Sequence, residues 1–284
     1  MNPTRNAFRQ GLRRGWAEFA QSLRSPQDQG FYLFTGLVTV AWLWFNRNDE
    51  VGDSGLLYPS FALPSILGGF LTFGVVIGPA YALAMEREDG TLLRHKALPH
   101  GMPGYVTGQL TLQSLSLAPA LLVVLLPALL LFDDLMHRGA AGWATVLGLV
   151  LLGLLATLPW GMVLGAVVPG VQKMGTWGML PVLVLVGISG IVAPVQALWG
   201  WLQAVAQVFP VYWLGHGLRW AFLPDAAAAA ELGGVWRPGT AVLVLVAWGV
   251  VGCLVAPRVL RRMARRQSGS QVQAAREAAL QWVR

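Results

Sequence analysis

Six stretches of this chain are apolar over a length that a bilayer demands. A helix needs about 20 residues to cross the hydrocarbon layer. The runs fall at about 30–45, 61–85, 105–132, 141–169, 174–195 and 239–257. Lipid offers no partner to backbone N–H and C=O groups, so each run must satisfy them internally, as an α-helix does. A barrel would instead show alternating segments of about 10 residues. The expected fold is an all-α membrane protein with six transmembrane helices. Composition agrees: only 12% of the 284 residues are charged, against about 25% in a typical soluble domain.

Lysine and arginine set the expected orientation, because they gather on the cytoplasmic side of membrane proteins. With the N-terminus inside, the cytoplasmic side holds Arg5, Arg9, Arg13, Arg14, Arg24, Arg87, Arg94, Lys96, Lys173 and the seven arginines after residue 257. The outside holds Arg47, Arg138, Arg219 and Arg237. A split of sixteen to four predicts cytoplasmic termini, an even number of spans and residence in the cell membrane. The net charge of +7 then belongs to membrane lipid and topology, with no nucleic-acid partner. Residues 1–30 hold five arginines and no apolar core, unlike a secretory leader, so the first run is expected to stay. The lone Cys253 lies in an apolar run and forms no intramolecular disulfide.

The organisation follows: a cytoplasmic segment at 1–29, a six-span domain at 30–257 and a basic cytoplasmic tail at 258–284. In the first, Phe8, Leu12, Trp16, Phe19 and Leu23 recur at helical spacing, with Arg9, Arg13 and Arg14 off the stripe. Such a basic amphipathic helix lies in the membrane interface or packs on a soluble partner. The outer stretch 196–238 is only half apolar and rich in tryptophan, which favours the headgroup level. It predicts one or two short helices, re-entrant or lying on the outer leaflet, broken at Pro210 and Pro224. Gly74-x-x-x-Gly78 and Gly161-x-x-x-Gly165 allow close helix approach, within the subunit or across a dimer.

Several absences narrow the chemistry. No G-x-x-x-x-G-K-[ST] loop occurs, so the chain has no phosphate cradle of that type. H-E-x-x-H and C-x-x-C are missing, and the four histidines are divided between the two sides. The span cores hold no Asp, Glu, Lys, Arg or His, which argues against proton relays and intramembrane hydrolysis. Asp133, Asp134 and His137 form the one polar cluster in the outer loops, too little for a lipid-acting enzyme.

The segment between the second and third runs, residues 86–99, reads EREDGTLLRHKALP. Gly90 permits a turn, Asp89 or Thr91 can cap a helix, and Pro99 stops it. Leu92, Leu93, Ala97 and Leu98 give this helix an apolar side, while Arg94, His95 and Lys96 suit its C-terminal half. Taken alone, the segment is either such a helix held near the membrane or an ordinary solvated loop.

This string, after the second of six spans, resembles the cytoplasmic coupling segment of ABC-2 type transporter permeases, the membrane subunits of bacterial drug and antibiotic exporters of the daunorubicin-resistance kind. FPVYWLGHGLR, at residues 209–219, is similar to the family's proline-led segment between spans five and six. The resemblance implies a half-transporter with no cofactor of its own, whose ATP and Mg belong to a separate ABC ATPase present in two copies. It implies a second permease copy or a homologous permease as partner. Glu86, Glu88, Gly90, Thr91, Arg94 and Pro99 would form the ATPase joint, with Glu86 and Glu88 paired to arginines of the N-terminal helix. Pro210, Tyr212, His216 and Arg219 would belong to an extracellular gate helix. The family's use of spans two and five as cavity walls points to Phe70, Phe73, Tyr81 and Ser189 for an amphiphilic, drug-like or lipid-like substrate, and antibiotic efflux and resistance would follow. Export of a polysaccharide or lipid-linked glycan is the alternative within the fold, and a non-transport membrane assembly protein the alternative outside it.

Overall fold

The computed structural model describes residues 3–51, 55–97, 101–132, 135–191 and 194–266. Ten helices are labelled in chain order: α1 (Pro3–Ser22), α2 (Pro26–Phe45), α3 (Tyr58–Glu88), α4 (Thr91–Ala97), α5 (Gly101–Leu131), α6 (Gly139–Val167), α7 (Val171–Ile188, with a π-helical turn at Met174–Gly178), α8 (Gly200–Val208), α9 (Pro210–Phe222) and α10 (Pro238–Arg266). Pairing of extended backbone among the described residues is confined to one isolated bridge, Glu50 to Leu57.

Among the described residues, five helices are long and apolar enough to cross a membrane: α3, α5, α6, α7 and α10. The run read as a first span lies in α2. That helix opens with polar Pro26, Gln27, Asp28 and Gln29, so its apolar part is short and it falls outside the five. Ser25 caps it, accepting the Asp28 amide at 3.3 Å, and Pro26 takes the first turn, where a missing N–H costs nothing. Phe31, Leu33, Phe34, Leu37 and Phe45 of α2 stay exposed.

Helix α3 is the central post of the bundle. Lipid supplies no hydrophobic drive between helices, so small residues that let backbones approach hold them together. A Cβ on Gly161 would sit 2.6 Å from the Val76 carbonyl oxygen, and one on Gly165 2.8 Å from that of Ala80. The second glycine pair therefore packs α6 on α3 within the subunit. A Cβ on Gly74 would meet nothing within 4 Å, and one on Gly78 would meet the Gln113 amide of α5. Gly249 of α10 approaches the Leu155 carbonyl of α6 in the same way. Thr72 and Ser65 return their hydroxyls to α3's own carbonyls, those of Gly68 and Phe61, so the post buries no unmatched hydroxyl there.

Helix α1 docks through a face the aromatic stripe does not announce. Ala7, Gly11 and Gly15, four residues apart, are buried along α5. A Cβ on Gly11 would lie 2.4 Å from the Gly104 oxygen, and one on Gly15 2.5 Å from that of Gly108. Phe8, Leu12 and Trp16 remain exposed beside the exposed Arg9 and Arg13. One side of α1 is thus fixed to the bundle and the other offers the mixed surface of an interfacial helix.

The stretch 196–238 holds α8 and α9, and they differ. Trp199 and Trp201 beside α8 are exposed. In α9, Pro210 through Phe222 is buried except for half-buried Trp220, and it packs on α3, α6 and α10. Tyr212 and Trp213 are core side chains, not headgroup anchors. Helix α9 is thus packed inside the bundle and not laid along its surface. The Ser268–Ser270 linker and the tail after it lie outside the described residues.

Candidate functional site

The end of α3 carries three consecutive charges, and each reaches a different element, because successive side chains fan out by about 100° around a helix. Glu86 turns to α1, where its Oε1 accepts from Arg14 Nη2 at 2.9 Å. Arg87 turns to α6: its Nη1 donates to the carbonyl oxygens of Gly165, Ala166 and Val168 at 3.0, 3.3 and 3.2 Å. These are orphan acceptors at a helix C-terminus, where a cation is favoured. Glu88 Oε1 accepts from the Val171 amide at 2.8 Å, the first donor of α7. The expected pairing of Glu88 with arginines of the N-terminal helix is therefore not formed. Two residues on from Glu86, it faces the α6–α7 turn.

Beyond these charges the chain bends sharply. Gly90 adopts a φ of 81°, which a side chain would oppose. Asp89 Oδ1 accepts the Thr91 amide at 2.8 Å and so starts α4. Leu92 is buried, Arg94 is exposed, and His95 meets α1. Pro99 lies outside the described residues.

Arg14 ties the elbow together. It donates to Glu18, Glu86 and His95 Nε2, and its guanidinium lies 5.5 Å from the Tyr105 ring centroid of α5. Burial opposes its charge, but Glu18 and Glu86 more than offset that, so its pKa is raised. Burial, and then the nearby Arg14, lower the His95 pKa. A guanidinium has only donors, so the imidazole presents Nε2 to Arg14 as an acceptor. Helices α1, α3, α4 and α5 converge on this one guanidinium.

A second polar cluster sits in α9. Pro210 opens the helix, and Tyr212 stacks at 25° on His216 with centroids 5.8 Å apart. Arg219 is fully buried and binds Glu231 through Nε and Nη2. Its Nη1 donates to Ser65 Oγ of α3 at 2.8 Å. His216 Nε2 receives the Arg237 amide at 2.9 Å, so it must be an acceptor, and Nδ1–H then donates to Glu231 Oε2 at 2.7 Å. The ring is the neutral Nδ1–H tautomer. Burial would raise the Glu231 pKa, but Arg219 and His216 outweigh it and bring it down to about 2. Sequence reasoning missed Glu231: it follows a run of alanines, with no periodicity linking it to the arginine twelve positions earlier.

With this geometry in place, one comparison decides the family. A sequence model of the ABC-2 type transporter family matches residues 14–223. The chain belongs to that family. The ABC-2 match opens at Arg14, covers the elbow and ends just past α9. No individual curated protein matches. An ABC-2 permease is the membrane transport component of an ABC transporter, and the family generally works with an ABC ATPase.

The four cavity residues named from the ABC-2 resemblance do not share one wall. Phe70 and Phe73 line a cavity bounded by α1, α2, α3 and α5. Tyr81 instead lies near α7, its hydroxyl 2.7 Å from where a Cβ on Gly175 would stand. Ser189 is buried, with Oγ donating to the Val186 carbonyl at 2.6 Å.

Proposed function

We propose that this ABC-2 permease exports a drug-like, antibiotic or lipid-like compound, driven by a separate ABC ATPase in two copies that grips the elbow at residues 90–97. A second permease chain completes the transporter. ATP and Mg belong to the ATPase. Both termini lie in the cytoplasm, with α2 as a sixth crossing.

One observation carries the reading. Glu86, Arg87 and Glu88 connect the root of the elbow to α1, α6 and α7. A push on α4 therefore reaches elements on both sides of α3 at once, which a solvated loop would not do. Exposed Arg94 supplies a charge for a docking groove. The sixteen-to-four distribution of Lys and Arg supports the cytoplasmic placement.

The test is reconstitution with an ABC ATPase that co-purifies with it from the native membrane. Stimulation of ATP hydrolysis by the permease, lowered on the order of tenfold by Glu86→Ala, is expected; tenfold corresponds to about 1.4 kcal/mol of coupling. Unchanged stimulation and export would remove Glu86 from the joint. Labelling of a cysteine at position 94 from outside intact cells would overturn the topology.

A further inference from the structure

The end of α10 gathers four arginines on one side. Arg258, Arg261, Arg262 and Arg265 recur at i, i+3, i+4 and i+7, the spacing of one helix face. All four are exposed. Ala256, Leu260 and Met263 are buried on the opposite side. The arginines enclose a hollow of about 440 Å³, lined by them alone among the described residues.

The protein supplies no counter-charge to them. Among the described residues none of the four forms an ion pair. Helices α6 and α9, on which α10 packs, contain no Asp or Glu. Between Glu231 and Glu277 the sequence has no acid at all, and after residue 266 Glu277 is outnumbered by Arg276 and Arg284. Like charges at i, i+4 destabilise a helix, here Arg258 with Arg262 and Arg261 with Arg265. An anion from outside the chain relieves both pairs at once.

Depth says which anion. From Pro238 to Pro257 α10 rises about 30 Å, the thickness of the hydrocarbon layer. Arg258 therefore stands at the edge of that layer. Helical side chains lean toward the N-terminus. Arg258 Nη1 donates to the Leu254 carbonyl, and Arg261 Nε to the Pro257 carbonyl at 3.0 Å. These guanidiniums are drawn back to headgroup depth, not out into water. On the same side the helix continues as exposed Leu243, Ala247, Val251 and Leu254. One stripe thus passes from apolar to cationic, as a phospholipid passes from acyl chain to phosphate.

We propose that this stripe binds an anionic phospholipid, its phosphodiester headgroup among the four arginines and its acyl chains along Leu243 to Leu254. Guanidinium forks match phosphate oxygens. A zwitterionic lipid would bring its own ammonium into the cluster, so a headgroup of net negative charge, such as phosphatidylglycerol, is selected. An acidic protein surface would approach from water, from which Arg258 and Arg261 are turned away. The lipid stays with the permease, and its site is independent of the compound proposed as cargo.

The test uses the full-length permease in phosphatidylcholine nanodiscs, with bimane on Leu254→Cys in a Cys253→Ser background. Phospholipids brominated on their acyl chains are the quenchers. Brominated phosphatidylglycerol should reach half-quenching at a mole fraction about fivefold below that of brominated phosphatidylcholine. At exposed Leu180→Cys of α7, a helix with one cation, Lys173, the two lipids should quench equally. Replacing all four arginines by glutamine should remove the preference at position 254. Should that variant fail to insert, the comparison of positions 254 and 180 with the arginines intact carries the test. Equal quenching by both lipids at position 254 would give the stripe to a protein partner and overturn the proposal. So would the same preference at position 180, the mark of bulk surface charge, or a preference that outlives the arginines. Loss of the preference on adding glycerol phosphate, but not sodium chloride at the same ionic strength, would assign the arginines to a free phosphate and overturn it as well.

Discussion

Replacing Glu231 by glutamine tests whether the buried cluster at α9 anchors the end of the bundle that holds Ser65. Arg219 and Glu231 are both almost wholly enclosed, so the substitution leaves a guanidinium inside with no counter-charge. The carboxylate accepts from Arg219 on one oxygen and from His216 and Arg219 on the other. An amide can place its oxygen on only one of these two sides, so its NH₂ must face a donor on the other. The His216 ring cannot relieve the clash by changing tautomer, because Nε2 already receives the Arg237 amide. Two routes give the magnitude. Lowering the Glu231 pKa from 4.5 to about 2 corresponds to about 3 kcal/mol, and breaking a buried pair by removing one partner typically costs about 3–5 kcal/mol. At about 2–4 °C per kcal/mol for a chain approaching this size, the midpoint of thermal loss of monodisperse protein should fall by roughly 6–20 °C. Arg219→Met with Glu231→Leu should recover most of that loss, since replacing both ions with apolar groups is often neutral. A single variant as stable as the parent, or a double variant no better than the single, would refute the reasoning.

The same pair sets an acid limit. A carboxylate with a depressed folded pKa contributes stability that is complete above its unfolded value of 4.5 and lost as pH falls towards about 2, so thermal midpoints should hold near neutrality and drop below about pH 4.5. Gly15→Val should undock α1, because its Cβ would overlap the Gly108 oxygen. Overpacking of this kind costs about 1–3 kcal/mol, and faster proteolytic release of residues 3–22 is the readout. Arg87→Ala should leave the end of α6 uncapped at a cost of about 1.5–3 kcal/mol for charge-assisted bonds, seen as faster amide exchange across residues 165–171 with exchange in α10 unchanged.

The long helices were legible in the sequence because lipid leaves a backbone no other choice, and run length alone carried that message. The first run is the exception: its polar first turn lets α2 form a 20-residue helix with a shorter apolar part. The face that α1 uses was hidden, because Phe8, Leu12 and Trp16 dominate its pattern while Ala7, Gly11 and Gly15 do the packing. Small residues give no hydropathy signal; their information is the closeness they allow. Burial of α9 was hidden for a related reason. PVYWLGHGLRWAF has the aromatic and basic content of an interfacial helix. It is buried because Glu231, across a loop, neutralises Arg219 and accepts from His216. At the elbow, the turn at Gly90 followed from composition, but the fan of Glu86, Arg87 and Glu88 onto three partners needed coordinates.

The fastenings of α3 are lopsided. Near its N-terminal end Arg219 reaches Ser65 from deep inside the protein, whereas at its C-terminal end Glu86, Arg87 and Glu88 each hold a neighbour from a partly wetted surface. An object built this way behaves like tongs riveted at the far tip. A small squeeze near the handles swings them widely while the rivet scarcely turns, so the stiffness of the rivet sets the stroke.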